Sequence, residues 1–161
     1  MGRVLRRLLP ILITLALGVA LVLRAGDEEQ LAPEEATVVR VVDGDTIRVR
    51  LASGAEEAVR YIGIDTPERG DCFFQEATDA NARLIEGKRV RLEPDVSERD
   101  RFGRLLAYVY RAEDGLFVNG ELVRGGFADA KRYDPDIRLA GTLERLEEDA
   151  RRLLRGLWEE C

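Results

Sequence analysis

Histidine is absent from all 161 residues. That single absence excludes Ser-His-Asp triads, Cys-His pairs, imidazole general bases and His-rich zinc sites. Chemistry in this chain has to run on carboxylates, arginine, lysine, tyrosine or a metal ion held by oxygen. Cysteine is nearly as scarce, Cys72 and Cys161 being the two present. An even number reads as a bridge in an oxidising compartment, with two free thiols as the other reading. Internal repeats and low-complexity blocks are lacking, and the length suits one domain plus an appendage. There is no excess of positive charge either. The net charge is −6 and the pI about 4.9. Bulk charge therefore argues against a simple basic nucleic-acid-binding domain. Local clusters can override it, and a metal ion in an acidic pocket brings its own positive charge.

The N-terminus carries Arg3, Arg6 and Arg7, then an uncharged run from Leu8 to Leu23 that ends at Arg24. This is the pattern of an export signal. The run is shorter than the roughly 20 residues of a spanning helix. No clear A-x-A site and no cysteine for a lipid follows it, so a cleaved signal and an uncleaved membrane anchor both fit, and the arginines favour an in-out orientation. Residues 1–25 are read as that segment, 26–35 as an acidic linker, and 36–161 as the folded domain, expected as a monomer in an exported location.

Within the domain, strands are expected at 37–42, 46–51, 57–64, 89–93 and 105–110, where β-branched or alternating residues run between turn signals. A helix is expected from Gln75 to just before Gly87, a short one over 116–124, and a long amphipathic one over 137–157. Three strands, a helix, two strands and further helices suit a five-stranded, partly open barrel, the architecture of oligonucleotide-binding folds.

Two acidic clusters stand out, Asp43-Gly44-Asp45-Thr46 between the first two strands and Asp65-Thr66-Pro67-Glu68 after the third. Neighbouring hairpin ends can bring both to one rim of a barrel. Calcium takes six to eight hard oxygen ligands. Asp45, Asp65 and the Thr66 carbonyl could supply the protein's share, with water filling the rest. Taken singly, each cluster is equally a hairpin turn or a helix-capping loop. Arg60 and Arg104 flank them, and guanidinium groups suit the charge that gathers on a phosphodiester during attack.

These residues carry a resemblance. VVDGDTIRV (41–49), VRYIGIDTPE (59–68), the Gln75-Glu76-Ala77 helix start, ERDRFGRLLAYVY (98–110) and VNGELVRGGFA (118–128) resemble, in order, the staphylococcal nuclease (thermonuclease) family. The resemblance implies an α+β fold, a five-stranded OB-type β-barrel with three helices. It implies a calcium-dependent nuclease that cleaves DNA and RNA, favouring single-stranded or fraying regions, and leaves 3′-phosphate ends. Asp45 and Asp65 match the family's Ca2+ ligands, and Thr66 the residue giving a carbonyl. Glu68 matches the glutamate that handles the attacking water, and Arg60 and Arg104 the arginines that grip the phosphate. Asp43 matches an acidic residue that shapes the pocket. Departures are visible. Phe102 stands where a tyrosine is common, and Tyr133 is the nearest candidate for a base-stacking tyrosine. Cys72 before an aromatic, with a C-terminal G-L-W-x-x-C, resembles exported members that staple those two sites. The competing readings are a non-catalytic nucleic-acid-binding module tethered to the membrane and a calcium-binding structural domain.

Overall fold

Strands β1 (Glu34–Val41), β2 (Thr46–Leu51) and β3 (Glu56–Tyr61) form an antiparallel meander whose alternate residues, Val38, Ile47, Val49, Val59 and Tyr61, are buried together. This comes from a computed structural model that describes residues 32–161; the expected export segment lies outside those residues. The short strand β4 (Ile64–Asp65) follows, then helix α1 (Phe74–Ile85), β5 (Arg89–Glu93) and β6 (Leu105–Arg111). The barrel closes in the order β1-β2-β3-β6-β5, with β3 and β6 parallel and the other pairs antiparallel. Helix α2 (Val118–Arg124), strand β7 (Asp129–Ala130), helix α3 (Ala140–Arg152) and the one-turn α4 (Leu157–Glu160) complete the chain. The expected OB-type α+β architecture is observed. Among the described residues no helix is long and apolar enough to cross a membrane.

The differences from the sequence reading have local causes. β1 starts at Glu34, inside the stretch read as linker, because Glu34 and Glu35 pair with Leu92 and Arg91 of β5. The third strand does not run unbroken to Ile64. It ends at Tyr61, turns at Gly63 with φ +79°, and resumes as β4 against β7. Glycine suits that corner twice over: the angle is left-handed, and a Cβ there would lie 2.5 Å from a Leu143 methyl carbon of α3. α2 starts at Val118 and not at 116, because Leu116 accepts the Arg111 amide and Phe117 bridges to Tyr110. The long C-terminal helix is shorter at both ends. Residues 134–139 are held as a loop by buried Asp136, whose Oδ1 accepts the Val96 and Ser97 amides at 3.0 and 2.7 Å. At the far end, Leu154 takes φ +49° and the Arg155 amide returns to the Ala150 carbonyl, which stops α3 before α4 begins. A disulfide joins Cys72 to Cys161, residues 89 apart in sequence, and ties the loop before α1 to the end of α4.

Candidate active site

The D-G-D turn between β1 and β2 is fixed from three directions. Asp43 Oδ1 accepts the Asp45 amide at 3.2 Å. The Asp43 carbonyl accepts from Asn81 Nδ2 of α1 at 3.0 Å. Gly44 packs so tightly on Thr66 that an added Cβ would meet its side chain at 2.7 Å. The result carries Asp45 under the β3–β4 corner. Its Oδ2 accepts the Thr66 amide at 3.0 Å and the Thr66 hydroxyl at 2.9 Å, while Oδ1 accepts the Thr46 hydroxyl at 3.1 Å. The two acidic clusters of the sequence are thereby one structure.

Arg60 sits between their carboxylates. Its Nη2 lies 3.1 Å from Asp45 Oδ2 and 3.1 Å from Asp65 Oδ1. Its Nη1 donates to the carbonyls of Tyr61 and Ile64 at 2.8 and 2.9 Å, which pins the corner leading into Asp65. Asp45 is 6% exposed, and its pKa is pushed up to about 6. Burial is the main cause, and Asp43 adds to it, against the attraction of Arg60 and the Thr66 hydrogen bonds. A carboxylate buried beside a second acid is short of positive charge even with its arginine in place.

Arg104 closes the other side of the cleft. Asp100 orients it, accepting from Nε at 2.7 Å and from the Arg104 and Phe102 amides at 3.0 and 2.9 Å. Burial pushes the Asp100 carboxyl up, but these bonds outweigh it and hold the pKa below the ordinary carboxylate value. Arg104 Nη1 lies 3.4 Å from the Thr46 hydroxyl. A cleft of about 800 Å³ is lined by Asp43, Asp45, Arg60, Glu68, Arg104 and Tyr133, among others. Glu68 is exposed, and it also lines a second, adjacent cleft of about 540 Å³ with Asp65, Thr66 and the disulfide. The expected residues thus fall along one rim where two clefts meet. Phe102, 67% exposed, and Tyr133, 48% exposed, both border the larger cleft.

Several residues that support or flank this rim had no signal in the sequence reading. Asn81 and Asn119 are fully buried, and Asn119 ties the β6 amide of Val109 to the Ile62 carbonyl at 2.9 Å each. Asp129 of β7 stands directly opposite Asp65 of β4. Burial, Glu147 and Asp65 together raise its pKa against the attraction of Lys131 and Arg151. Among the described residues no three acidic or cysteine side chains converge closely enough to hold a metal by themselves. An ion here would rest on two carboxylates, a carbonyl and water, and that all-oxygen set suits a hard cation such as calcium.

A family model described as staphylococcal nuclease homologue matches residues 58–160. The chain is 37% identical over 127 residues to the thermonuclease of Staphylococcus hyicus, covering 75% of this chain and 73% of that one. It is 40% identical over 125 residues to an uncharacterized endonuclease of Escherichia coli O157:H7, covering 77% and 76%. It is 35% identical over 130 residues to endonuclease YncB of Bacillus subtilis, covering 76% of this chain and 60% of that protein.

Proposed function

The chain belongs to the staphylococcal nuclease family, and on that footing we propose that it is an exported, calcium-dependent nuclease that hydrolyses DNA and RNA to 3′-phosphate products. The observation that carries this reading is the shared guanidinium nitrogen of Arg60, 3.1 Å from both Asp45 and Asp65, beside a cleft that Glu68 and Arg104 also line. The arginine-flanked apolar run of residues 3–24 supports export, with the folded domain delivered free or tethered.

Asp45, Asp65 and the Thr66 carbonyl are the residues that would hold calcium. The ion would supply charge neutralisation at a non-bridging phosphate oxygen. The raised pKa of Asp45 fits this assignment, because the buried carboxylate lacks positive charge that a cation would add. Arg104, pre-oriented by Asp100, is the guanidinium free to approach the phosphate from the open side of the cleft. Arg60 neutralises the two aspartates and holds the corner that presents them, and its Nε hydrogen is left over from the contacts that do so. Glu68, exposed at the mouth, accepts a hydrogen bond from a water and orients it in line with the leaving 5′ oxygen.

Hydrolysis of denatured DNA by the purified protein in calcium, and its loss in EGTA, is the direct test, with the end groups identified. Arg104→Ala and Glu68→Gln are each expected to lower turnover about 10²–10³-fold, the usual loss for one pre-organised group. Wild-type turnover in both variants would overturn the residue assignment. Binding without cleavage by the folded, oxidised protein would leave a nucleic-acid-binding module instead.

A further inference from the structure

On the outer face of the β1–β2 ladder two arginines oppose each other directly, Arg40 on β1 and Arg48 on β2. A bulge creates this pairing. Val38 faces Val49, but the next pair is Arg40 with Arg48, so Val39 is the extra residue. Directly opposed residues of antiparallel strands share a face, and like charges there are destabilising.

Their neighbours on the barrel surface are neutralised. Arg50 lies 2.6 Å from Glu56, Arg89 lies 3.6 Å from Glu35, and Arg91 pairs with Glu93. Glu57 is near enough for Arg48 to lower its pKa, though the hydrogen bonds from Arg99 are the larger cause. Both its oxygens are taken by Arg99, at 3.1 and 3.2 Å. Among the described residues neither Arg40 nor Arg48 makes an ion pair.

The pair's position is as informative as its charge. Thr46 and Arg48 share one face of β2, two residues and roughly 6–7 Å apart. Thr46 is the register partner of Arg60, and its hydroxyl lies 3.4 Å from Arg104. Arg48 therefore sits two residues along β2 from a residue that touches the cleft's guanidinium groups, and Arg40 lies across the ladder from it.

We propose that Arg40 and Arg48 form a phosphate-holding subsite, which anchors the nucleic-acid strand beyond the phosphate that is cut. The inference rests on the nuclease reading and extends it to substrate length. Guanidinium forks take phosphate oxygens bidentately. A phosphate between the two side chains relieves the repulsion the bulge creates. A strand with phosphates at regular intervals is the partner that arginines both in the cleft and on the ladder beside it fit, since a lone anion needs no second pair.

The test compares the full-length protein with the Arg40→Gln/Arg48→Gln variant on a labelled single-stranded octanucleotide and on a nucleoside nitrophenyl phosphodiester, which reaches only the cleft. The octanucleotide KM is expected to rise about tenfold in the variant. The loss sits in KM rather than kcat, and the small diester is cleaved as before. Without two arginine–phosphate pairings on a single strand, the slope of log affinity against log salt should also fall by about 1.4. An Arg50→Gln/Arg89→Gln variant removes the same charge from paired arginines and should keep the wild-type slope. An unchanged KM and slope in Arg40→Gln/Arg48→Gln would overturn the subsite. So would an equal loss in the control variant, which would make the effect one of bulk charge. If the protein cleaves neither substrate, the nuclease reading fails separately, and octanucleotide anisotropy still decides: weakened binding supports the subsite and unchanged binding overturns it. Loss of binding to anionic phospholipid vesicles alone, with oligonucleotide binding intact, overturns it in favour of a membrane surface.

Discussion

Asn81 is fully buried and uses both ends of its side-chain amide. Its Oδ1 accepts from the buried Tyr61 hydroxyl at 2.9 Å, and its Nδ2 donates to the Asp43 carbonyl at 3.0 Å. One residue of α1 thus latches the turn that carries Asp45. Asn81→Ala leaves a hydroxyl and a carbonyl unsatisfied, at a cost of about 1–3 kcal/mol for each such group. Urea unfolding should show a loss of about 2–6 kcal/mol, and turnover measured well below the transition should fall with it. A variant that loses stability but keeps full turnover would show that the latch does not position the turn. Asn81 was hidden in the sequence because it falls within a helical pattern of Ala77, Ala80, Ala82, Leu84 and Ile85, where a lone polar residue looks like a solvated position. As candidates, Asp45, Asp65 and Arg104 were legible because their neighbours are chemically peculiar: an acid-glycine-acid turn, an acid before threonine and proline, and an arginine after a glycine; Arg60 stood out only by its place five residues before Asp65, on the strand leading into it. Asp129 gave no signal, since a two-residue strand has no periodicity to read.

At the scale of elements, the disulfide acts on the segment that carries Glu68. It links the end of α4 to the loop between β4 and α1, and the cleft it borders also contains Asp65, Thr66 and Glu68. The Glu68 amide is held by Asp71 Oδ2 at 3.1 Å, one residue before Cys72. Cross-links over long sequence separations stabilise by about 2–4 kcal/mol, mainly by restricting the unfolded chain. Cys72→Ser/Cys161→Ser should lower stability by that amount in urea, and the wild type should lose the same amount in reductant. Equal urea midpoints with and without reductant would mean that the bridge adds nothing. The elements themselves were largely readable. Strands of the barrel alternate because one face of each is buried, and α1 keeps its period to the end. What could not be read was the interruption of good patterns. The third strand bends where α3 needs Gly63, and the C-terminal helix gives up its first residues to a loop that Asp136 holds against the β5–β6 connection. Both depend on contacts between distant segments, which no local period records.

For the molecule as a whole, the net charge of −6 means that affinity for a polyanion has to come from where the arginines stand, not from how many there are. The cleft concentrates the problem: Asp43, Asp45, Asp65 and Glu68 gather around one rim, with Arg60 shared between two of them. Burial already pushes the Asp45 pKa to about 6, so the ionised carboxylate is held in the fold at a cost that a bound cation would offset. A ligand that binds the native state alone stabilises it by RT ln(1 + [L]/Kd), about 2.7 kcal/mol at one hundred times Kd. Saturating calcium should therefore raise Tm by roughly 10 °C for a domain of this size, and EGTA should reverse the shift. Asp45→Asn and Asp65→Asn should each lose most of it, whereas Asp149→Asn, on an exposed turn of α3 paired with Arg152, should keep it all. This readout needs no substrate and no turnover. A Tm indifferent to calcium in the wild type would remove the ion from these aspartates, and a full shift surviving in both cleft variants would place it elsewhere on the molecule.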